Sequence, residues 1–190
     1  EPIYSDLREM VARYREELQA LHPSPFYLLG GYSAGGHMAY EMACQLAARG
    51  CPAPLVFMAD APAPMEAGAA IPKLDDLFRS NSGSEEMAPS PGKALRAALQ
   101  EDFPLREVIV KTYESAASYK PPRSRSDIVY FRARERDAIL DPHSEAGWMD
   151  RVDGAFSVYN APGSHFTMMA MPHVKFIAQI MRRYLRRHRG

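Results

Sequence analysis

Apolar positions along this chain fall into two rhythms. Short apolar runs stand at 26–30, 55–59 and 128–131, and a fourth stretch, 155–159, is apolar but for Ser157; most are flanked by Gly, Pro or Asp. Runs of that length and setting read as buried strands. Between them, apolar residues recur three or four apart. Leu7, Met10, Val11, Tyr14 and Leu18 mark a helix over 4–21, started by Ser5 and Asp6 and stopped by His22 and Pro23. Met38, Met42 and Leu46 mark a second helix reaching about Arg49, with Gly50 placed for a left-handed cap. Val174, Ile177, Ile180, Met181 and Leu185 mark a closing helix whose first residue would be Pro172. Strand 26–30, the helix after it and strand 55–59 make a right-handed parallel βαβ unit. The alternation predicts an α/β fold with a mainly parallel sheet, in one domain over 1–190.

The rhythm breaks between 61 and 122. Ala61-Pro62-Ala63-Pro64 opens a loop, residues 81–92 are rich in Ser, Gly, Pro and Glu, and helical patterns stand at 74–79 and 94–118. No strand signal interrupts the region, and Pro121-Pro122 closes it. A helical insertion at a strand end is expected to be a lid or pocket wall. Met65, Ile71, Leu74, Leu77, Phe78, Leu95, Leu99, Phe103, Val108, Ile109 and Tyr113 recur there at helical spacing, most as the lid's own seam and a few to shield a site from water.

Composition narrows the field by exclusion. Formal net charge is zero, which gives no case for nucleic acid or a membrane surface as partner. The arginines at 182, 183, 186, 187 and 189 suit the last turns of a helix, where cations complement the dipole. Cys44 and Cys51 make neither a disulfide framework nor a metal site, and Cys44 reads as a small core residue. There is no signal peptide and no apolar run long enough to span a bilayer, so a cytoplasmic setting is expected. The chain opens on Glu1-Pro2 and reads as cut from something longer.

The chemistry centres on Gly31-Tyr32-Ser33-Ala34-Gly35, between the first strand and the second helix. This is the G-x-S-x-G form of a nucleophile elbow, in which a serine sits at the tip of a strained turn and glycines let neighbouring chain pass close by. The helix beginning there aims free N–H groups at developing negative charge, with the Ala34 N–H next to the nucleophile. Ser33 is the expected nucleophile. A serine hydroxyl needs a base, itself oriented by a third group. Of six histidines, His22 precedes the nucleophile, His37 lies one turn after it as a pocket-wall or surface residue, His143 is in a polar loop, His173 begins a helix and His188 is in the basic tail. His165 alone lies between the last strand and last helix, after a Gly-Ser pair that permits an unusual turn, and is the expected base. The acid stays open on pattern alone: Asp60 ends the second strand, while Asp137 or Asp141 follows the third.

Three stretches carry a resemblance. Leu28–Gly36 with Ala39-Tyr40-Glu41, then Asp60-Ala61-Pro62-x-Pro64, then Gly163-Ser164-His165-Phe166-Thr167-Met168-Met169 resemble the type I thioesterase domains that end polyketide and peptide synthases. The second and third most resemble the thioesterase/Claisen-cyclase domains of fungal-type non-reducing polyketide synthases. The resemblance spans essentially the whole chain and is weakest in the lid. It implies an α/β-hydrolase fold with an oxyanion pair, of which the Ala34 N–H is assigned here, while the N-terminal strands that carry the second donor lie outside this chain. It also implies that the acid follows the strand after the elbow, at Asp60, with Asp137 next. It further implies an acyl carrier protein that delivers a polyketide thioester on phosphopantetheine. Ser33 then forms an acyl ester and a carbanion of the bound chain closes a ring, with no metal or cofactor of the domain's own. Alternatives are hydrolytic or lactone-forming release on the same residues, and a hydrolase-fold binding module with a dead triad. The complete Ser, Asp and His set in the right order argues against the last.

Overall fold

Each apolar run becomes a strand of one sheet, and the intervening periodic stretches become the helices that cover it. A computed structural model of the protein describes residues 6–63, 106–135 and 145–187. In chain order these form α1 (Leu7–Leu21), β1 (Leu28–Tyr32), α2 (Ala34–Ala48), β2 (Leu55–Ala59), α3 (Arg106–Ser118), β3 (Asp127–Glu135), α4 (Ala146–Met149), β4 (Phe156–Ser164) and α5 (Val174–Arg187). The strands lie in the order β1-β2-β3-β4 and every pairing is parallel. All four strands therefore end on one edge of the sheet, and every connection must cross back over a face.

Side-chain alternation sorts the core into two layers. Val56 and Met58 of β2 and Ile128 and Tyr130 of β3 point to the face covered by α1, α2, α3 and Trp148. Leu55, Phe57 and Ala59, with Val129, Phe131 and Ala133, point to the face covered by Ile177 and Ile180 of α5. A strand buried on both faces has no polar position to spare, which is why β2 reads as an unbroken apolar run.

Asp6 caps α1, its carboxylate accepting the Arg8 N–H at 2.6 Å, and Gly50 adopts φ +84° after α2. Some expectations need correction. The buried face of α1 is Leu7, Met10, Val11 and Arg15, and Tyr14 is exposed. β1 runs two residues later than the apolar run, into the elbow itself. β4 continues through 160–164, expected as a loop, because β3 also runs on and pairs Ala133 with Ala161 and, past an irregularity, Glu135 with Ser164. Pro162 is tolerated there because β4 is the sheet's edge among the described residues. α5 begins at Val174, two residues after Pro172. The short α4 carries no periodic signal and was not anticipated. The lid expected over 61–122 falls mostly outside the described residues, as do Asp137, Asp141, His143 and His188. Of that region only 61–63 and 106–122, which includes α3, are described.

The Tyr40-Glu41 pair anchors these helices. The Tyr40 hydroxyl sits between the carbonyl oxygens of Pro122 (2.8 Å) and Arg151 (3.0 Å). Glu41, buried, accepts the Tyr119 hydroxyl and the Gln45 side-chain amide (2.9 Å), so the chain just beyond α3 is tied to α2. A buried carboxylate is tolerable only with such donors.

His37 is also interior, which corrects its placement on a pocket wall or the surface. Its ring packs against Trp148 (5.2 Å) and Tyr119 (6.4 Å). Nδ1 lies 3.3 Å from the Ser33 carbonyl, and the Pro62 carbonyl is its other polar neighbour. Burial lowers its pKa to about 4, against the partial opposing effect of those carbonyls. The folded protein thus holds His37 neutral at pH values where the unfolded chain protonates it. Stability must therefore fall as pH drops from about 6.5 toward 4, by about 3 kcal/mol from this residue. His37→Gln removes the titration, so its urea midpoint should fall less steeply over that interval than that of the wild type. Parallel midpoint profiles for the two proteins would show that His37 is not held neutral.

Candidate active site

The strand ends build the site. Ser33 directly follows β1, Asp60 directly follows β2, and His165 directly follows β4, so three residues distant in sequence emerge on one edge of the sheet. The ladder continues one residue past the strands to hold them. The Ser33 N–H donates to the Ala59 carbonyl at 2.9 Å, and the Asp60 N–H to the Phe131 carbonyl at 2.8 Å.

Ser33 has φ +54° and ψ −127°, a conformation that L-residues rarely adopt. Such a backbone costs on the order of 1–3 kcal/mol and persists only where the surroundings enforce it. The enforcement is steric. A Cβ on Gly31 would lie 1.9 Å from the Gly35 carbonyl oxygen, so strand and helix meet where only a bare backbone fits. At Gly35 itself a Cβ would meet nothing within 4 Å, so of the two motif glycines only Gly31 is required by contact. Ala34 opens α2, and its N–H is among the first-turn donors that have no acceptor within a helix.

Asp60 is 4 % exposed and both its oxygens are engaged. Oδ1 accepts the Ala133 N–H of β3 at 3.0 Å, and Oδ2 lies 2.8 Å from His165 Nδ1. With the Nδ1 proton directed at that carboxylate, Nε2 carries the free lone pair and can accept a proton. The next residue is braced as firmly: the Ala61 carbonyl accepts the Tyr130 hydroxyl at 2.9 Å and the Trp148 indole N–H at 2.8 Å. A Cβ on Gly36 would stand 2.5 Å from the Ala61 Cβ, so the elbow and the acid loop are in contact.

The histidine loop is fixed by its own short-range bonds. Gly163 has φ +89°, and a Cβ there would run into the His173 ring and the Thr167 hydroxyl, which explains the glycine. The Ser164 N–H donates to Thr167 Oγ1 at 2.8 Å, and the Thr167 and Met168 N–H groups return to the Ser164 carbonyl. Phe166 stands edge-on to the imidazole at 5.1 Å, and Tyr32 lies against it at 4.9 Å.

The structure therefore brings Asp60 and His165 into direct contact and puts Ser33 on the same sheet edge. His37 turns to the Ser33 carbonyl and His173 to the Thr167 carbonyl, each at 3.3 Å, and not to Asp60. Sequence reasoning missed Tyr32, Tyr130, Trp148, Ala133 and Thr167. Trp148 is the chain's single tryptophan, and its place in a short polar-flanked stretch was the one available signal. Cys44 is partly buried against the core, and burial raises its thiol to about 12, which makes it a poor nucleophile. Among the described residues no group of three or more His, Cys, Asp or Glu is placed to hold a metal ion, and no helix is long and apolar enough to cross a membrane.

Comparison with known proteins fits this geometry. The chain is 30% identical over 197 residues to malpinin synthetase of Mortierella alpina, covering 96% of this chain and 2% of that protein. It is 29% identical over 196 residues to the non-reducing polyketide synthase terA of Aspergillus terreus, covering 93% and 9%. Both relatives are far longer than this chain, which spans only one small part of each. A solved four-domain nonribosomal peptide synthetase, bound to AMP and glycine, superposes with a TM-score of 0.73 at 23% identity, over 95% of this chain and 16% of that one. That likeness is one of fold, a parallel sheet with helices of the α/β-hydrolase kind. The thioesterase domain family matches residues 1–185, and the chain belongs to that family.

Proposed function

We propose that this domain releases an acyl chain from an acyl carrier protein thioester through an ester on Ser33. The observation that carries the reading is the Asp60–His165 contact on the same sheet edge as the strained Ser33. His165 Nε2 takes the Ser33 proton as the hydroxyl oxygen attacks the thioester carbonyl, and Asp60 holds the imidazole in the tautomer that makes Nε2 the base. The Ala34 N–H meets the oxyanion of the tetrahedral intermediate, where a positioned donor contributes most. Collapse expels the phosphopantetheine thiol, which receives its proton from His165. The ester is then discharged by a second nucleophile. No metal or cofactor enters these steps.

For the second nucleophile, the non-reducing polyketide synthase relative favours a carbanion of a polyketide chain, with Claisen-type ring closure. In a second reading, a hydroxyl or water discharges the ester as a lactone or free acid. The two differ in product and share every residue named above.

Replacing the nucleophile separates this reading from that of a binding module. Ser33→Ala should fold normally and lose turnover of a model thioester by about a million-fold. Retention of more than a few per cent of activity would refute the assignment. Asp60→Asn keeps an oxygen for the Ala133 N–H but presents an amide to His165, which favours the wrong tautomer. It should cost roughly ten-thousand-fold in kcat. Asp137→Asn in the same assay should cost far less, and the opposite ranking would move the acid to the third strand.

A further inference from the structure

The residue that precedes the nucleophile has a second engagement. Tyr32 ends β1, and its hydroxyl donates to the backbone carbonyl of His165, which lies after the last strand. The same side chain lays its ring against the His165 imidazole, with centroids 4.9 Å apart and planes tilted by 33°. The imidazole is thus held by Asp60 at Nδ1, by Tyr32 on one side and by Phe166 edge-on, while Tyr32 also holds the backbone that carries it. β1 and β4 are at opposite ends of the four-strand order, so no ladder hydrogen bond joins their ends directly. Tyr32 spans that gap from the position adjacent to Ser33.

We propose that Tyr32 is a positioning residue that ties the base-bearing loop to the nucleophile elbow, so that His165 and Ser33 keep one geometry. The inference rests on the proposed roles of Ser33 and His165 and adds the element that holds them in step. Its two parts separate by substitution. Tyr32→Phe keeps the ring contact and removes the hydroxyl bond. Tyr32→Leu removes both. An uncharged hydrogen bond of this kind shifts a conformational population by roughly three- to tenfold. Misplacement of a reacting group acts on the rate of chemistry rather than on ground-state binding.

The test uses the purified domain with hexanoyl N-acetylcysteamine thioester, together with proton NMR of the Asp60–His165 Nδ1–H resonance. Tyr32→Phe should lower kcat roughly three- to tenfold with KM and thermal midpoint near wild type, and should speed exchange of the Nδ1 proton with water. Tyr32→Leu should lower kcat several-fold further. If Tyr32→Leu does not fold, the near-isosteric Tyr32→Phe decides alone. Wild-type kcat in Tyr32→Phe, or a lowered kcat with unchanged Nδ1 exchange, overturns the proposal. Ser33→Ala run beside them keeps the two levels apart. An active Ser33→Ala would sink the nucleophile assignment, while the Nδ1 exchange, which involves Asp60 and His165 only, would still judge the Tyr32 tie.

Discussion

The structure depends on one buried carboxylate. Asp60 sits at φ +42° just beyond β2, withdrawn from water, and an isolated charge there would be costly. It is accommodated because one oxygen accepts a backbone N–H of β3 and the other accepts from the histidine after β4. Three strand ends are thereby tied to one side chain. Removing any of these partners would leave the charge short of a donor, so the loop that carries His165 and the strand that holds Asp60 are energetically coupled.

Around that carboxylate, the scaffold does its work with backbone and packing. The parallel register sets which residues emerge together, and the elbow's backbone strain is held by a strand and a helix that meet without side chains between them. Behind the acid, Tyr130 and Trp148 converge on one carbonyl, and His37 fills the space between the elbow and residue 62 as a neutral ring. A site held at this precision favours reaction through positioning more than through binding strength.

Much of this was legible in the sequence, for identifiable reasons. The inner strands announce themselves because β2 and most of β3 are buried on both faces and must be apolar, and β2 is found to the residue, while the partly exposed β1 and β4 show shorter apolar stretches. The elbow is legible because a close backbone crossing demands glycine at 31, and Ser33, Asp60 and His165 follow from chain order and the resemblance together. What was not legible depends on partners distant in the chain. β4 runs past Asn160 only because β3 offers it a ladder. Arg15 rather than Tyr14 is buried because tertiary packing overrides the apolar stripe. His37 is interior because an aromatic pocket formed by Tyr119 and Trp148 receives it, and Tyr32 meets a loop that lies 133 residues further along the chain. None of these leaves a local pattern to read.

The central claim is that Ser33 carries the acyl group between two transfers. The most direct measurement is to mix the protein with a hexanoyl N-acetylcysteamine thioester, quench in acid within the first turnovers, and map the modified peptide by mass spectrometry. The expected result is a hexanoyl increment on Ser33 that forms at least as fast as thiol is released and disappears once thioester is exhausted. Thiol release that continues with Ser33 unmodified at every time point, or with the increment on Cys44 or Cys51 instead, would contradict it.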